Sequence, residues 1–428
     1  MVDDRPLQYL DCLSMLATTI EAISEFETIP IEAAVGRYLA DSIKAPLSRP
    51  PFHQAAMDGY AISSDAISRL PASFNIRSTL FSGRVNDDDL RSLAKDEAVR
   101  IFTGAPLPAN ADIVIAQEQA LLEGGRLQLN TPLLKGQHCR WQGEEFARGQ
   151  PIIAAKQRLG AAEVGLLASV GIGQCRVYRR CKIALFSTGA ELMSPGLGPA
   201  QYLAEPYDNA DKPPSTSRFK IFDANRYLLH ALLTDASIEV LPFAPLADEL
   251  PSLTHALLAA SETADLVITS GGASVGDADL IYPFLAKQGQ VSCRKVNIKP
   301  GKPFIVGSLN QTPFLGLAGN PAAAMIAYLM LGQAIVIQRA GGQYQRPQPQ
   351  WVAADFTLQK SSRRREFLRA TVDRRVSPAT IQLSPHQGSA SLLAMTQSDG
   401  LVEIEESIEQ IQLGQHLPFY PFETLMKY

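Results

Sequence analysis

The residues best suited to chemistry in this chain are the ten from Ser270 to Asp279, Ser-Gly-Gly-Ala-Ser-Val-Gly-Asp-Ala-Asp. Gly271, Gly272 and Gly276 let the backbone adopt positive φ and let amide groups come close to a ligand. Ser274 adds a hydroxyl. The spacing predicts a helix directly afterwards, and a helix N-terminus favours anions such as phosphate. Asp277 and Asp279 fall in that first turn, where carboxylates also stabilise a helix. A plain turn with capping aspartates is the competing interpretation, and the full glycine-rich run between strand and helix favours the ligand loop.

Cations lie close by in sequence. Lys295, Lys299 and Lys302 flank a Pro-Gly turn in Lys-Val-Asn-Ile-Lys-Pro-Gly-Lys-Pro, a pattern that suits phosphate or another oxyanion but also describes a solvated basic hairpin. Glu191, Asp248 and Asp279 supply carboxylates from three loops, and carboxylates beside phosphates are what Mg²⁺ requires. Asn320-Pro321 reads as a helix N-cap and first helical residue. Elsewhere, Asp58 in Ala-Met-Asp-Gly-Tyr and Thr103 in Phe-Thr-Gly-Ala-Pro mark polar groups at glycine turns, each a weak signal alone. Arg364 lies in the Arg-Arg-Arg-Glu-Phe-Leu-Arg run of residues 363–369, and Ser389 ends Gln-Gly-Ser. Such a charge run by itself reads as a solvated face. The six histidines and five dispersed cysteines show no zinc spacing, and neither a Gly-x-Ser-x-Gly elbow nor a Walker-type loop occurs.

Strand patterns at 182–186, 238–241, 265–269 and 314–317 alternate with helical patterns at 224–235, 250–261, 278–288 and 321–339. This alternation predicts a doubly wound, mainly parallel sheet covered on both faces, with the ligand at the carboxyl ends of the strands. Four loops then converge: 187–191, 246–249, 270–279 and 318–321. Before this domain, 6–23 and 31–42 read as helical. Residues 52–149 read as β-rich, with short runs at 99–102, 113–116 and 126–129. A helix at 159–168 and a strand at 174–178 follow. After it, the tail reads as β, with runs at 367–372, 380–383 and 401–404. Residues 194–218 show no period and are expected to form a long loop.

The 428 residues suit about two to four domains. Hydrophobic content of 46% and charged content of 19% indicate a globular protein, and a net charge of −4 argues against a nucleic-acid partner. The apolar stretch 322–337 reads as a buried core helix rather than a membrane span. An acidic N-terminus and an odd number of scattered cysteines lead to the expectation of a cytoplasmic protein with reduced thiols.

Taken in order, these clusters resemble the molybdopterin molybdenumtransferase family, the bacterial MoeA type related to the E domain of gephyrin. The matching stretches are Pro50-Pro51-Phe52 with Ala56 to Ala61, Thr103 to Pro108, Gly143-Glu144-Glu145, Ser187-Thr188-Gly189-x-Glu191-Leu192, Asp223 to Arg226, Ser270 to Asp279, Lys299 to Pro303, Gly319-Asn320-Pro321, and Arg364 to Arg369 with Gln387-Gly388-Ser389. The resemblance implies four parts. A helical and extended N-terminal linker and dimerisation domain would comprise 1–46 and 148–180. A β-rich inserted domain would span 47–147, the α/β molybdopterin-binding domain 181–342, and a small C-terminal β domain 347–428.

It further implies a homodimer that inserts molybdate into adenylylated molybdopterin with Mg²⁺ and releases AMP, alongside other molybdenum cofactor biosynthesis proteins. Glu191, Asp248, Asp279, Lys295 and Lys299 would surround the cofactor, metal and incoming molybdate, with the three carboxylates holding the metal. Gly271, Gly272, Ser274, Gly276, Lys302 and Asn320 would bind the pterin phosphates. Asp58, Thr103 and Glu145 would reach the site from the β-rich domain, and Arg364 and Ser389 would help bind the anion. The sequence departs from the family pattern at His53, Ala190, Ala318 and Ala323. These changes remove polar groups, so a weakly active or non-catalytic pterin-binding paralogue is the alternative, and another phosphorylated ligand in the same loop a third.

Overall fold

The computed structural model describes residues 5–195, 220–241, 243, 246, 249–273 and 280–426. Asp248, Ser274, Gly276, Asp277 and Asp279, and nearly all of the long loop expected at 194–218, lie outside these residues. The chain divides into two compact units. One comprises residues 1–40, 156–160 and 175–428, and the other residues 41–155 and 161–174.

The first unit is built on a six-stranded sheet. Cys181–Ser187 pairs in parallel with Ile238–Leu241 on one side and Leu266–Ser270 on the other, and the latter pairs in parallel with Thr312–Leu317. The strand Leu266–Ser270 is buried at every position, as expected for a parallel strand covered on both faces. Along Cys181–Ser187 the side chains divide strictly. Ile183 and Leu185 pack with Leu229 and Ile326, whereas Ala184 and Phe186 pack with Leu253, Leu257 and Phe284. Helices Asn225–Leu232 and Pro321–Ala327 thus cover one face, and Leu250–Thr263 and Ile281–Gln288 the other. This is the doubly wound, mainly parallel α/β domain expected from the sequence.

Two antiparallel strands, Pro303–Leu309 and Gln290–Lys295, extend the sheet. No strand was expected there, although Val291 and Cys293 alternate with polar residues and Phe304, Ile305 and Val306 form an apolar run. The helix from Pro321 runs on through a π-helical turn, Tyr328–Gly332, to Arg339. It is long and apolar enough to cross a membrane, but it is buried within this unit.

The chain ends in a second six-stranded sheet containing Arg365–Asp373, Thr380–Leu383 and Gly400–Ile404. A short strand, Ile298–Lys299, joins its edge in parallel, with Lys299 opposite Glu366. The lysine-rich stretch is therefore a bridge between the two sheets and not a solvated hairpin. The arginine run also departs from expectation. Arg365 is buried and paired with Glu403 at 2.7 Å and Glu406 at 2.9 Å, and Arg369 is fully buried.

Tyr9–Thr19 is helical as the period predicts. The helix expected at 31–42 is absent: only a 3₁₀ turn, Ile31–Ala33, forms. Gly36 takes a φ of 83°, and Tyr38 and Leu39 make bridges to Arg158 and Val177. Their apolar side chains are buried by pairing rather than along a helix face.

The second unit is β-rich, as expected. Its six-stranded sheet has the order Ile113–Ala116, Gly59–Ile62, Glu97–Ile101, Ala72–Leu80, Arg126–Leu129, Leu121–Glu123. The nine-residue strand Ala72–Leu80 was not expected, although Ala72, Phe74, Ile76 and Leu80 alternate with polar residues and only Ser78 breaks the period.

Candidate functional site

Register brings the site together. Ser187 lies opposite Ser270, and Ser270 opposite Leu317. The three parallel strands therefore end level, and the residues that follow, Thr188, Gly271 and Ala318, open onto one cavity of about 1080 Å³. Its wall also includes Glu191, Asp223, Asn225, Gly272, Lys299, Lys302, Asn320, Arg364, Gln387 and Ser389. Of the expected site residues, Glu191, Gly271, Gly272, Lys299, Lys302, Asn320, Arg364 and Ser389 are thus brought together.

Lys295 is not part of this wall. It stands at the end of Gln290–Lys295, opposite Pro303, which does line the cavity. Asp58 and Thr103 belong to the second unit and form a couple of their own. Asp58 Oδ1 accepts from the Thr103 amide at 2.8 Å and from its hydroxyl at 2.7 Å. Those two hydrogen bonds, backbone first, hold the Asp58 carboxyl below its ordinary pKa, with help from the charge of Arg100. Glu145, in the same unit, pairs with Arg49 at 2.7 Å. His53, where the family pattern differs, accepts the Gln142 amide on Nδ1 at 3.0 Å and packs edge-on against Trp141.

The glycine turn works differently from the expectation. Gly271 donates its amide to Leu317 O at 3.1 Å, so that group is committed to the sheet. Its φ is 94°, and a Cβ there would lie 2.3 Å from Thr188 O. Gly271 therefore allows two backbones to meet rather than donating to a ligand. The Gly272 amide has no partner among the described residues, and its φ is 62°.

Asn320 also departs from its expected use. Its side chain makes no capping hydrogen bond. It donates instead to Ser389 Oγ at 3.0 Å, while the Ala323 amide donates to Ser389 O at 3.1 Å. Ala323 lines the cavity, and its backbone still anchors Ser389. Gln387 braces the same loop, accepting from the Arg369 amide at 3.0 Å and donating to Arg369 O at 2.8 Å and Ser384 O at 2.9 Å.

Asp223 and Asn225 were passed over in the sequence, although they stand in the quoted stretch Asp223 to Arg226. Asn225 donates to Ser270 Oγ at 2.8 Å and to Gly319 O at 2.7 Å, tying two of the converging loops. Asp223 is buried. One of its oxygens accepts the Arg226 amide at 3.1 Å, and the other, like Asn225 Oδ1 and Thr188 Oγ1, is buried without a partner among the described residues. Orphaned acceptors of this kind call for a ligand, a cation or water. Their only sequence signal was Asp-x-Asn at the start of a helix, which reads equally as a cap.

Lys299, Lys302 and Arg364 make the cavity electropositive, and carboxylates stand at its edge. Among the described residues no group of three His, Cys, Asp or Glu side chains is placed to hold a metal. The Glu191 carboxylate on the cavity wall and the orphaned Asp223 oxygen are nonetheless hard donors of the type Mg²⁺ takes. A doubly wound sheet with glycine turns, cations and a helix start at its carboxyl edge defines a protein that binds an anionic, phosphorylated ligand.

Comparison with known proteins identifies the family. Residues 8–171 match the MoeA N-terminal region (domain I and II), residues 184–336 a "Probable molybdopterin binding domain", and residues 352–422 the MoeA C-terminal region (domain IV). The chain is 32% identical to the molybdopterin molybdenumtransferase of Haemophilus influenzae, over 94% of this chain and 95% of that protein. It is 29% identical to molybdopterin molybdenumtransferase 2 of Mycobacterium tuberculosis, over 91% and 93%. The crystal structure of a molybdopterin biosynthesis MoeA protein from Pyrococcus horikoshii superimposes with a TM-score of 0.74 at 27% identity, covering 98% of this chain and 99% of that one. A second structure from that organism, at 22% identity, shares the fold with a TM-score of 0.79 over 97% and 100%. The chain belongs to the molybdopterin molybdenumtransferase family.

Proposed function

We propose that this protein inserts molybdate into adenylylated molybdopterin and releases AMP, using the cavity at the carboxyl edge of the α/β sheet. The observation that carries this is the meeting of Gly272, Asn320, Lys299, Lys302, Arg364 and Ser389 on one cavity large enough for a dinucleotide-sized ligand. The reaction concentrates negative charge from phosphates and an oxyanion, and fixed cations offset that charge without reorganisation. In this reading Gly272 and Lys302 bind phosphate, and Lys299, Arg364 and Ser389 receive molybdate. Glu191, with Asp248 and Asp279, would hold Mg²⁺, which would supply charge neutralisation at the phosphates.

The same proposal includes Lys295 beside the cofactor, Asp58 and Thr103 as contributions from the β-rich domain, the fourfold domain division given above, a homodimer, a cytoplasmic location and other cofactor-biosynthesis proteins as partners. The family membership supports these readings.

Complementation of a strain lacking its own molybdenumtransferase, together with an assay of AMP release by the purified protein, tests the proposal. Rescue at ordinary molybdate and molybdate-dependent AMP release are expected. Well-folded protein that neither rescues at any molybdate level nor releases AMP would overturn it. Retention of the pterin without turnover would assign the chain to the non-catalytic alternative.

A further inference from the structure

Behind one of the cavity's cations lies a carboxylate that works against an anionic ligand. Lys299 Nζ lies 3.3 Å from both carboxylate oxygens of Glu366. The Glu366 side chain is only 4% exposed, whereas that of Lys299 is 39% exposed and lines the cavity. Two constraints fix the carboxylate. Ser362 Oγ donates to Glu366 Oε1 at 2.7 Å, and the strand register sets Glu366 directly opposite Lys299. Arg364 and Lys302, the other cavity cations, have no ion-pair partner among the described residues. Lys299 thus differs from them in having its charge already answered from within the protein.

We propose that Glu366 is an internal counter-anion that stays paired with Lys299 when a doubly charged tetrahedral oxyanion binds there, and so sets the oxyanion affinity low. An oxyanion at Lys299 must share the ammonium with a carboxylate a few ångströms away that is too buried to turn into solvent. Like charges that close in a partly dry site repel strongly. Holding the oxyanion weakly suits a site that must transfer it onward rather than store it. Glu366 touches no ligand and acts through Lys299, as a positioning residue. The inference rests on the reading of the cavity as an oxyanion site.

The test is calorimetric titration of the full chain with sodium molybdate at low and raised salt, for the wild type and for Glu366→Gln, Ser362→Ala and Lys299→Met. Glu366→Gln is expected to bind molybdate roughly ten-fold more tightly than wild type. Ser362→Ala, which frees the carboxylate from one anchor, should show a smaller tightening. A residue needed only for folding would weaken binding on substitution. Equal or weaker binding by Glu366→Gln with an unchanged unfolding transition overturns the inference. Should that variant fail to fold, absence of any tightening in Ser362→Ala overturns it. Molybdate binding that is lost in Lys299→Met but unmoved in Glu366→Gln defeats the internal competitor alone. Binding indifferent to Lys299→Met defeats the oxyanion reading of this lysine and the competitor with it.

Discussion

Asn225 donates its side-chain amide to the carbonyl of Gly319 at 2.7 Å, across two neighbouring strand ends. The same amide reaches Ser270 Oγ at 2.8 Å, and Ser270 in turn donates to Ala318 O at 3.1 Å. One helix start therefore fixes the spacing of two loops that line the cavity. Asn225→Ala should destabilise the fold by about 1–3 kcal/mol, because it leaves a buried carbonyl and hydroxyl short of a partner. Asn225→Asp should cost at least as much, since it sets an acceptor against the Gly319 acceptor. Urea unfolding checks both, and stability within error of wild type for Asn225→Asp would remove Asn225 from this role.

Two glycines of the cavity wall, Gly271 and Gly388, should respond differently to alanine. At Gly271 a Cβ would sit 2.3 Å from Thr188 O, at a φ of 94°. Gly271→Ala should lose about 1–3 kcal/mol or more through strain and collision. At Gly388 a Cβ would meet nothing within 4 Å. Gly388→Ala should stay within about 0.5 kcal/mol of wild type while placing a methyl against the cavity. Denaturation curves and ligand titrations together separate the two effects.

These positions show what the sequence could and could not reveal. The α/β layers were legible because short apolar runs such as Leu266-Val267-Ile268 between long helical periods have few alternative interpretations. The glycine turn was legible as a place, but its mechanism was not, because only register shows that Gly271 spends its amide on Leu317. The arginine run misled for a related reason. Local charge reads as solvent-facing, whereas Arg365 finds Glu403 and Glu406 some forty residues away and is buried with them. Lys299 and Glu366 are 67 residues apart in sequence, and no local pattern announces a pairing made across neighbouring strands of one sheet.

Arg364 and Lys302 should differ in weight as anion ligands. Arg364 is half-buried and offers a planar fork that fits an oxyanion, while Lys302 is an exposed point charge. Arg364→Ala should weaken molybdate binding by about ten-fold or more, and Lys302→Ala by no more than a few-fold. Both losses should shrink as salt is raised, the Lys302 effect first, because exposed charges are screened most. Titration across a salt series checks the order, and a larger effect at Lys302 would reverse the assignment of the main oxyanion contact.

The Asp58–Thr103 couple carries a pH dependence whose sign follows from its hydrogen bonds. The Thr103 amide and hydroxyl both donate to Asp58 Oδ1, and both favour the ionised carboxylate, so the folded-state pKa lies below the ordinary value. A depressed folded pKa means that the couple's contribution is complete above the unfolded value of about 3.9 and is lost as pH falls through the folded one. Thr103→Val removes the hydroxyl donor and keeps the amide. The Asp58 pKa should then rise part of the way back, and the acid limb of this loss should move to higher pH. Carboxyl-carbon NMR titration of Asp58 in both proteins measures the shift directly. An Asp58 pKa that falls in Thr103→Val would show that the hydroxyl does not hold the carboxylate in its ionised form.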